Sequence, residues 1–384
     1  MAARSFNIPV TSIDGLVRPL AAVRSDVPAP SGGLVFVSGA PTQELGSIAD
    51  QLRVAWKGVP ACIVPAAGVL TERGEVEGAP ALGGMLWSGG KVVPIVVHEG
   101  APATALRDAI VEATAGRSAT VILFPRSDFS PDMLDGLGAA APGVRLFGAG
   151  TVGGPALTLT ATGEVKRGRA VGLVLLGSAP PLVESSAACR LLSPLRRIDE
   201  TSGGMVLTID GTPALDLLSS CAPGLRDAGA GGPPPVVFAA LADGTADGTD
   251  GANEGDDRYV IRPVRGIDPG RRGILVGADA RPGMRLAFAV RDAAAARAGL
   301  EASARSLAQQ ALGAAPRFAL YLTCAGRGQG LYGAPDVESR ILRHRFGDLP
   351  IAGMHAAFEI TPWATGESRV ALYTGVLALF RSPS

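Results

Sequence analysis

Lysine, histidine and cysteine are all scarce in this chain of 384 residues. Lysine occurs only at Lys57, Lys91 and Lys166, so nearly all the positive charge is arginine. With abundant Ala, Gly and Pro, that bias looks like a bacterial-like base composition and carries no functional weight. Lys+Arg and Asp+Glu are both 35, which leaves a formal net charge of zero and no basic excess to recruit nucleic acid or an anionic membrane. The four cysteines, Cys62, Cys189, Cys221 and Cys324, are far apart and form no Cys-x-x-Cys pair. Neither a disulfide framework nor a cysteine zinc site is indicated, and a reduced cytoplasm is the expected location. No run approaches the roughly 18 apolar residues that a spanning helix needs, and Ser12 and Asp14 interrupt the start where a signal peptide would be apolar. The 47% hydrophobic content therefore belongs to cores, enough for two or three domains by length.

The chain reads as α/β. Gly33 to Ser38 is a buried strand, and Leu45, Ile48 and Leu52 give the segment Glu44 to Val54 helical spacing. Pro60 to Val64, Val92 to Val97 and Ala119 to Phe124 are further strands, with a helix expected over Ala103 to Ala113. Such alternation favours mixed sheets covered by helices, with an αββα layering among the arrangements allowed. A Pro/Gly/Ala stretch from Ala222 to Pro235 breaks the pattern and puts the domain junction near there.

An internal repeat has the same grammar of strand, glycine turn and second strand. Pro142 to Gly148 leads through Gly163-Glu164 to Leu176, and Pro350 to Gly353 leads through Gly366-Glu367 to Phe380. A weaker copy runs from Ala61 through Gly74-Glu75 to Trp87. The two halves of the chain are expected to be structurally related.

Functional groups concentrate in the last sixty residues. Phe318 to Cys324 is a buried strand that stops in Ala-Gly-Arg327-Gly328-Gln-Gly-Leu-Tyr332-Gly333, a glycine-rich turn carrying a thiol, a guanidinium and an aromatic ring. Leu349 to Pro362 repeats the pattern with Gly353, His355 and Glu359. Exposed amides around Arg327 suit an anion, the guanidinium suits a carboxylate held by two hydrogen bonds, Glu359 suits an ammonium group, and Tyr332 suits the apolar side. An amino acid would be matched at both ends. The plain alternative is that Arg327 and Glu359 neutralise each other across the strand ends.

These residues resemble the FIST family over nearly the whole chain, from about Leu34 to Phe380. The resemblance rests on Cys324-Ala-Gly-Arg327-Gly, Leu-Tyr-Gly333, Gly353 to Pro362 with Glu359, and Thr374, in the family's order and approximate spacing. Of the earlier segments, Val206 to Ala214 looks like the family's junction region, and Tyr259 to Pro269 and Val290 to Ala293 look like the segment beyond that junction. The resemblance implies an N-terminal extension over 1–32, a FIST N domain over 33–215 and a FIST C domain over 216–384. It also implies a sensory module for small molecules such as amino acids, binding through Cys324, Arg327, Gly328, Tyr332, Gly353, His355, Glu359 and Thr374, and passing its signal to a separate protein partner. Two family positions differ: the N-terminal thiol-bearing turn reads Val64-Pro-Ala-Ala-Gly68, and a histidine near the end is Ala371. An interaction scaffold with a degenerate pocket is the runner-up.

Other chemistry is weaker. Cys324 with His355 as base is a candidate thiol pair, but no nucleophile-elbow or cysteine-protease signature accompanies it. Some family members are described as haem binders; His355 or Cys324 is then the candidate axial ligand, without a second ligand or attachment motif. Gly148-x-Gly150-x-x-Gly153 has dinucleotide spacing, yet Ala156 to Thr160 alternates like a strand where a helix is needed. The acidic loop from Asp243 to Glu254 has calcium-loop spacing but strand-like flanks, which favours a surface hairpin tip.

Overall fold

The computed structural model describes residues 2–222, 236–244, 258–363 and 366–382. It divides into two compact units, one made of residues up to Ser186 and from Arg297 onward, the other of Ala187–Ala296. All but Ala222 of the Pro/Gly/Ala stretch, and most of the acidic loop, lie outside the described residues.

The first unit contains three repeats of one motif. The first runs β1 (Ala3–Pro9), α1 (Val17–Ser25), β2 (Pro30–Ser38), α2 (Leu45–Ala55), β3 (Ala61–Pro65), the hairpin β4 (Gly68–Thr71) and β5 (Gly74–Glu77), then β6 (Ala81–Ser88). The second runs β7 (Lys91–Val97), α3 (Ala105–Thr114), β8 (Ala119–Pro125), α4 (Leu137–Ala140), β9 (Val144–Ala149), β10 (Leu157–Leu159), β11 (Val165–Arg167) and β12 (Ala170–Leu176). The third opens with β13 (Leu182–Ala187) and is interrupted by the second unit.

That second unit holds β14 (Cys189–Leu191), β15 (Arg196–Ser202), β16 (Met205–Ile209), β17 (Thr212–Pro213), α5 (Ala214–Cys221), β18 (Val237–Ala242), β19 (Val260–Pro263), β20 (Gly266–Asp268), β21 (Gly273–Leu275) and β22 (Arg285–Arg291). Its strands form one sheet, with β19-β18-β22-β15-β16-β21-β20 along the main path. The chain returns through α6 (Ala293–Gln310) to β23 (Pro316–Cys324), α7 (Gln329–Tyr332), α8 (Val337–Phe346), β24 (Ile351–Ala356), the hairpin β25 (Glu359–Pro362) and β26 (Ser368–Ala371), and β27 (Thr374–Arg381).

In every repeat the two strands joined by the crossover are parallel: β2 with β3, β8 with β9, β23 with β24. The return strand β6, β12 or β27 lies antiparallel against the first of them. The hairpin, however, is donated to a neighbour. β4–β5 extends the sheet of β24, β10–β11 that of β3, and β25–β26 that of β9. The exchange closes a cycle, so each six-stranded sheet of this unit contains strands of two repeats. The related halves expected from sequence are thus part of a threefold relation, and the matching segments are those from β3 to β6, β9 to β12 and β24 to β27.

Strand alternation then sorts the side chains. Leu34 and Phe36 of β2, Ile122 and Phe124 of β8, and Leu320 and Leu322 of β23 share one central core. Their neighbours Val35 and Val37, Val121 and Leu123, and Ala319 and Tyr321 face the other way and meet the covering helices. Burial on both faces is why these strands read as continuous apolar runs. At the centre Trp87, Phe318, Phe380 and Phe147 form an aromatic chain, with centroid separations of 5.7, 4.3 and 6.3 Å, that touches all three sheets. The segment after Gly153 is the strand β10, so no helix N-terminus comes after that glycine motif.

Candidate functional site

The sequence-predicted residues gather at the carboxyl ends of β23 and β24, where open α/β sheets commonly bind ligands. Register decides their facing. Thr323 pairs with His355 and Cys324 with Ala356, and successive strand residues point to opposite faces. Ala356 belongs to the central core, whereas Tyr321, two residues from Thr323, packs with α6 and α8. Cys324 and His355 therefore leave the sheet on opposite sides, and the expected thiol and base are not brought together.

Space on the outer face comes from two glycines. A Cβ at Gly68, opposite His355, would stand 2.8 Å from the imidazole Cδ2, and one at Gly375 would stand 2.3 Å from the Tyr321 hydroxyl. Gly353 has a packing role of the same kind, since a Cβ there would lie 2.1 Å from the Tyr321 carbonyl oxygen.

Arg327, in the short turn after β23, is fully buried and does not pair with Glu359. Its Nε donates to Glu338 Oε1 at 2.8 Å and its Nη1 to the Ser186 carbonyl at 2.9 Å. Glu338, in the first turn of α8, also accepts from Tyr321 at 3.0 Å, Tyr332 at 2.8 Å and Thr323 at 3.0 Å. Burial alone would depress the Arg327 guanidinium; the Glu338 carboxylate overcomes this and holds it above its usual range. Burial, with Glu338 beside it, likewise pushes the Tyr332 phenol up. Glu338 was missed from sequence because nothing local distinguishes it from the charged face of a surface helix.

On the other side of the strand ends, Glu359 is wholly buried. Its Oε2 accepts from the Thr374 amide at 3.2 Å, while Oε1 has no hydrogen-bond partner. Burial pushes this carboxyl well above its usual range, against the smaller opposing effects of the Thr374 amide and Arg327. Burial, with Glu359 nearby, pushes the Cys324 thiol up to about 11, which leaves little thiolate at neutral pH. Because the folded acid has the raised pKa, its stability contribution is complete below the unfolded value and is lost as pH rises through the folded one. Glu359→Gln cannot ionise. Its stability advantage over the wild type, read by denaturant unfolding, is expected to grow as pH rises above the ordinary carboxylate range, to about 1–3 kcal/mol, the scale for a buried group left without its partner. A gap that stays constant with pH would contradict the assignment.

A third cluster was visible in sequence only as part of the repeat. Glu75, at the glycine turn of the β4–β5 hairpin, is brought to His355, whose Nε2 lies 3.5 Å from Glu75 Oε2, with side chains 3% and 1% exposed. Glu77 completes the group. Burial raises the Glu75 carboxyl, but His355 and the Ser339 amide outweigh this and bring it below its usual value. For His355 burial opposes the charge and Glu75 restores it, leaving the imidazole above its usual value. The matching turn residues Glu164 and Glu367 are exposed, so only the first repeat's copy is buried at a strand end.

Among the described residues no helix is long and apolar enough to cross a membrane. The model of the FIST N domain matches residues 32–212 and that of the FIST C domain residues 236–362. An uncharacterised protein of Mycobacterium tuberculosis is 28% identical over 331 residues, 82% of each chain. An uncharacterised protein of Mycobacterium bovis is 35% identical over 133 residues, 34% of this chain and 33% of the relative. With both domain models matched in order along most of its length, the chain belongs to the FIST family, whose domains are regarded as small-ligand sensors in signalling.

Proposed function

We propose that this protein is a sensory module that binds an amino acid or small carboxylate at the carboxyl ends of β23 and β24 and signals through a separate protein partner. The observation that carries this reading is a set of buried polar atoms left without hydrogen bonds on the two sides of these strand ends. Both ring nitrogens of His355, Oε1 of Glu359 and Oγ of Ser186 lack hydrogen-bond partners, although Nε2 of His355 lies 3.5 Å from the Glu75 carboxylate, and these residues flank the strand ends that hold Arg327. A buried polar atom without a partner costs about 1–3 kcal/mol. Such atoms on both sides of the same strand ends are a reason to expect a bound molecule that supplies a missing bond. Thr374, Gly328, Tyr332, Cys324 and Gly353 frame the same ends, and Arg327 acts as a positioning residue that fixes Tyr332 through Glu338.

A scaffold role is the second reading, favoured by the internal neutralisation of Arg327 by Glu338. A thermal-shift screen of amino acids and small carboxylates separates the two. The sensor reading expects at least one compound to raise the midpoint, by about 2.7 kcal/mol of stabilisation at a hundredfold excess over its Kd, and Glu359→Gln to weaken the response. No shift with any compound favours the scaffold.

A further inference from the structure

We propose that Glu75, Glu77 and His355 form a binding site for one divalent transition-metal ion of the zinc type. One ligand atom from each lies within 4.8 Å of the other two. His355 is the decisive member: its side chain is 1% exposed, and neither ring nitrogen has a hydrogen-bond partner. Its 3.5 Å approach to Glu75 Oε2 is too long for a well-formed hydrogen bond. It is close to the separation of about 3.4 Å between two ligands of a tetrahedral ion bound at about 2.0–2.1 Å.

The carboxylates are already oriented from behind. The Ser339 amide donates to Glu75 Oε1 at 2.9 Å and the Gln329 amide to Glu77 Oε1 at 2.8 Å, which leaves the second oxygen of each for an ion. Outer hydrogen bonds of this kind fix ligand geometry at metal sites. Gly328 is required for the approach, because a Cβ there would lie 2.0 Å from Glu77 Oε2.

Charge favours a dication. Glu338 is neutralised by Arg327 and the Asp336 carboxylate is taken up by the Glu75 amide at 2.7 Å, so Glu75 and Glu77 remain to balance the ion while His355 binds as a neutral ring. One imidazole with two carboxylates suits zinc better than calcium or magnesium, and among the described residues no thiol joins the group to select copper(I). Three protein ligands leave a fourth position open, and the solvent-exposed Glu77 provides the way in. An ion bound here takes one ring nitrogen of His355, so the small-molecule reading then rests on Glu359 Oε1 and Ser186 Oγ.

The test uses the full chain, free of affinity tags and stripped with chelator, titrated calorimetrically with Zn2+ and spectroscopically with Co2+. One ion per chain is expected, with a cobalt spectrum lacking sulfur charge transfer. His355→Gln and Glu77→Gln should each weaken binding at least about tenfold, while Glu164→Gln, in the matching turn of the second repeat, should leave it unchanged. Thermal unfolding of the metal-free variants identifies any that fail to fold, and Glu77→Gln, at the exposed edge, keeps the test decisive if His355→Gln does. Absence of stoichiometric binding, binding indifferent to both substitutions, or a thiolate-to-cobalt band would overturn the proposal.

Discussion

Arg327→Ala is expected to cost about 3–5 kcal/mol of stability, the range for removing one partner of a buried ion pair. Both side chains are inaccessible to solvent, so deletion of the guanidinium leaves the Glu338 charge desolvated, with two phenols and a threonine hydroxyl still directed at it. At roughly 2–4 °C per kcal/mol, the unfolding midpoint should fall by about 6–20 °C. Arg327→Lys should recover only part of this, because a single ammonium cannot reproduce the fork that reaches Glu338 and the Ser186 carbonyl together. Adding Glu338→Ala to Arg327→Ala should cost much less than the sum of the single changes, since the second removes the charge that the first strands. Additive losses, or a single loss below about 1 kcal/mol, would mean that water reaches the pair.

Phe318→Ala is expected to be comparably severe, at about 3–5 kcal/mol. Phe318 stacks on Phe380 at 4.3 Å and on Trp87 at 5.7 Å, and Phe380 continues to Phe147 at 6.3 Å. The cavity opens where the three sheets meet, so no single repeat can close over it. Phe318→Leu keeps most of the volume and should cost far less. Denaturant midpoints for the two variants check the ranking, and an alanine variant as stable as the leucine variant would place the central core elsewhere.

Much of this architecture can be read before any coordinates. Leu45, Ile48 and Leu52 announce α2, and the apolar runs at Gly33 to Ser38 and Ala119 to Phe124 announce strands buried on both faces. The copies at Ala61, Pro142 and Pro350 announce the repeat, and Arg327 with Glu359 marks the right strand ends. The partners were hidden. Arg327 has Glu338 where a ligand carboxylate or, in the plain alternative, Glu359 is the expectation from sequence, and Glu75 reaches Ser339 across 264 positions.

What the sequence by itself determined is local: which residues share a strand face, where glycine lets the chain turn, and which segments repeat. Those features come from backbone sterics and from the periods of two and 3.6, which need only near neighbours. The tertiary structure alone decided that each hairpin crosses to another repeat's sheet, and hence that Glu75 is buried beside His355 while Glu164 and Glu367 stay in water. Alternating side chains specify a face to be covered but not which edge the strand joins. That choice is made by the packing of all three sheets around one core.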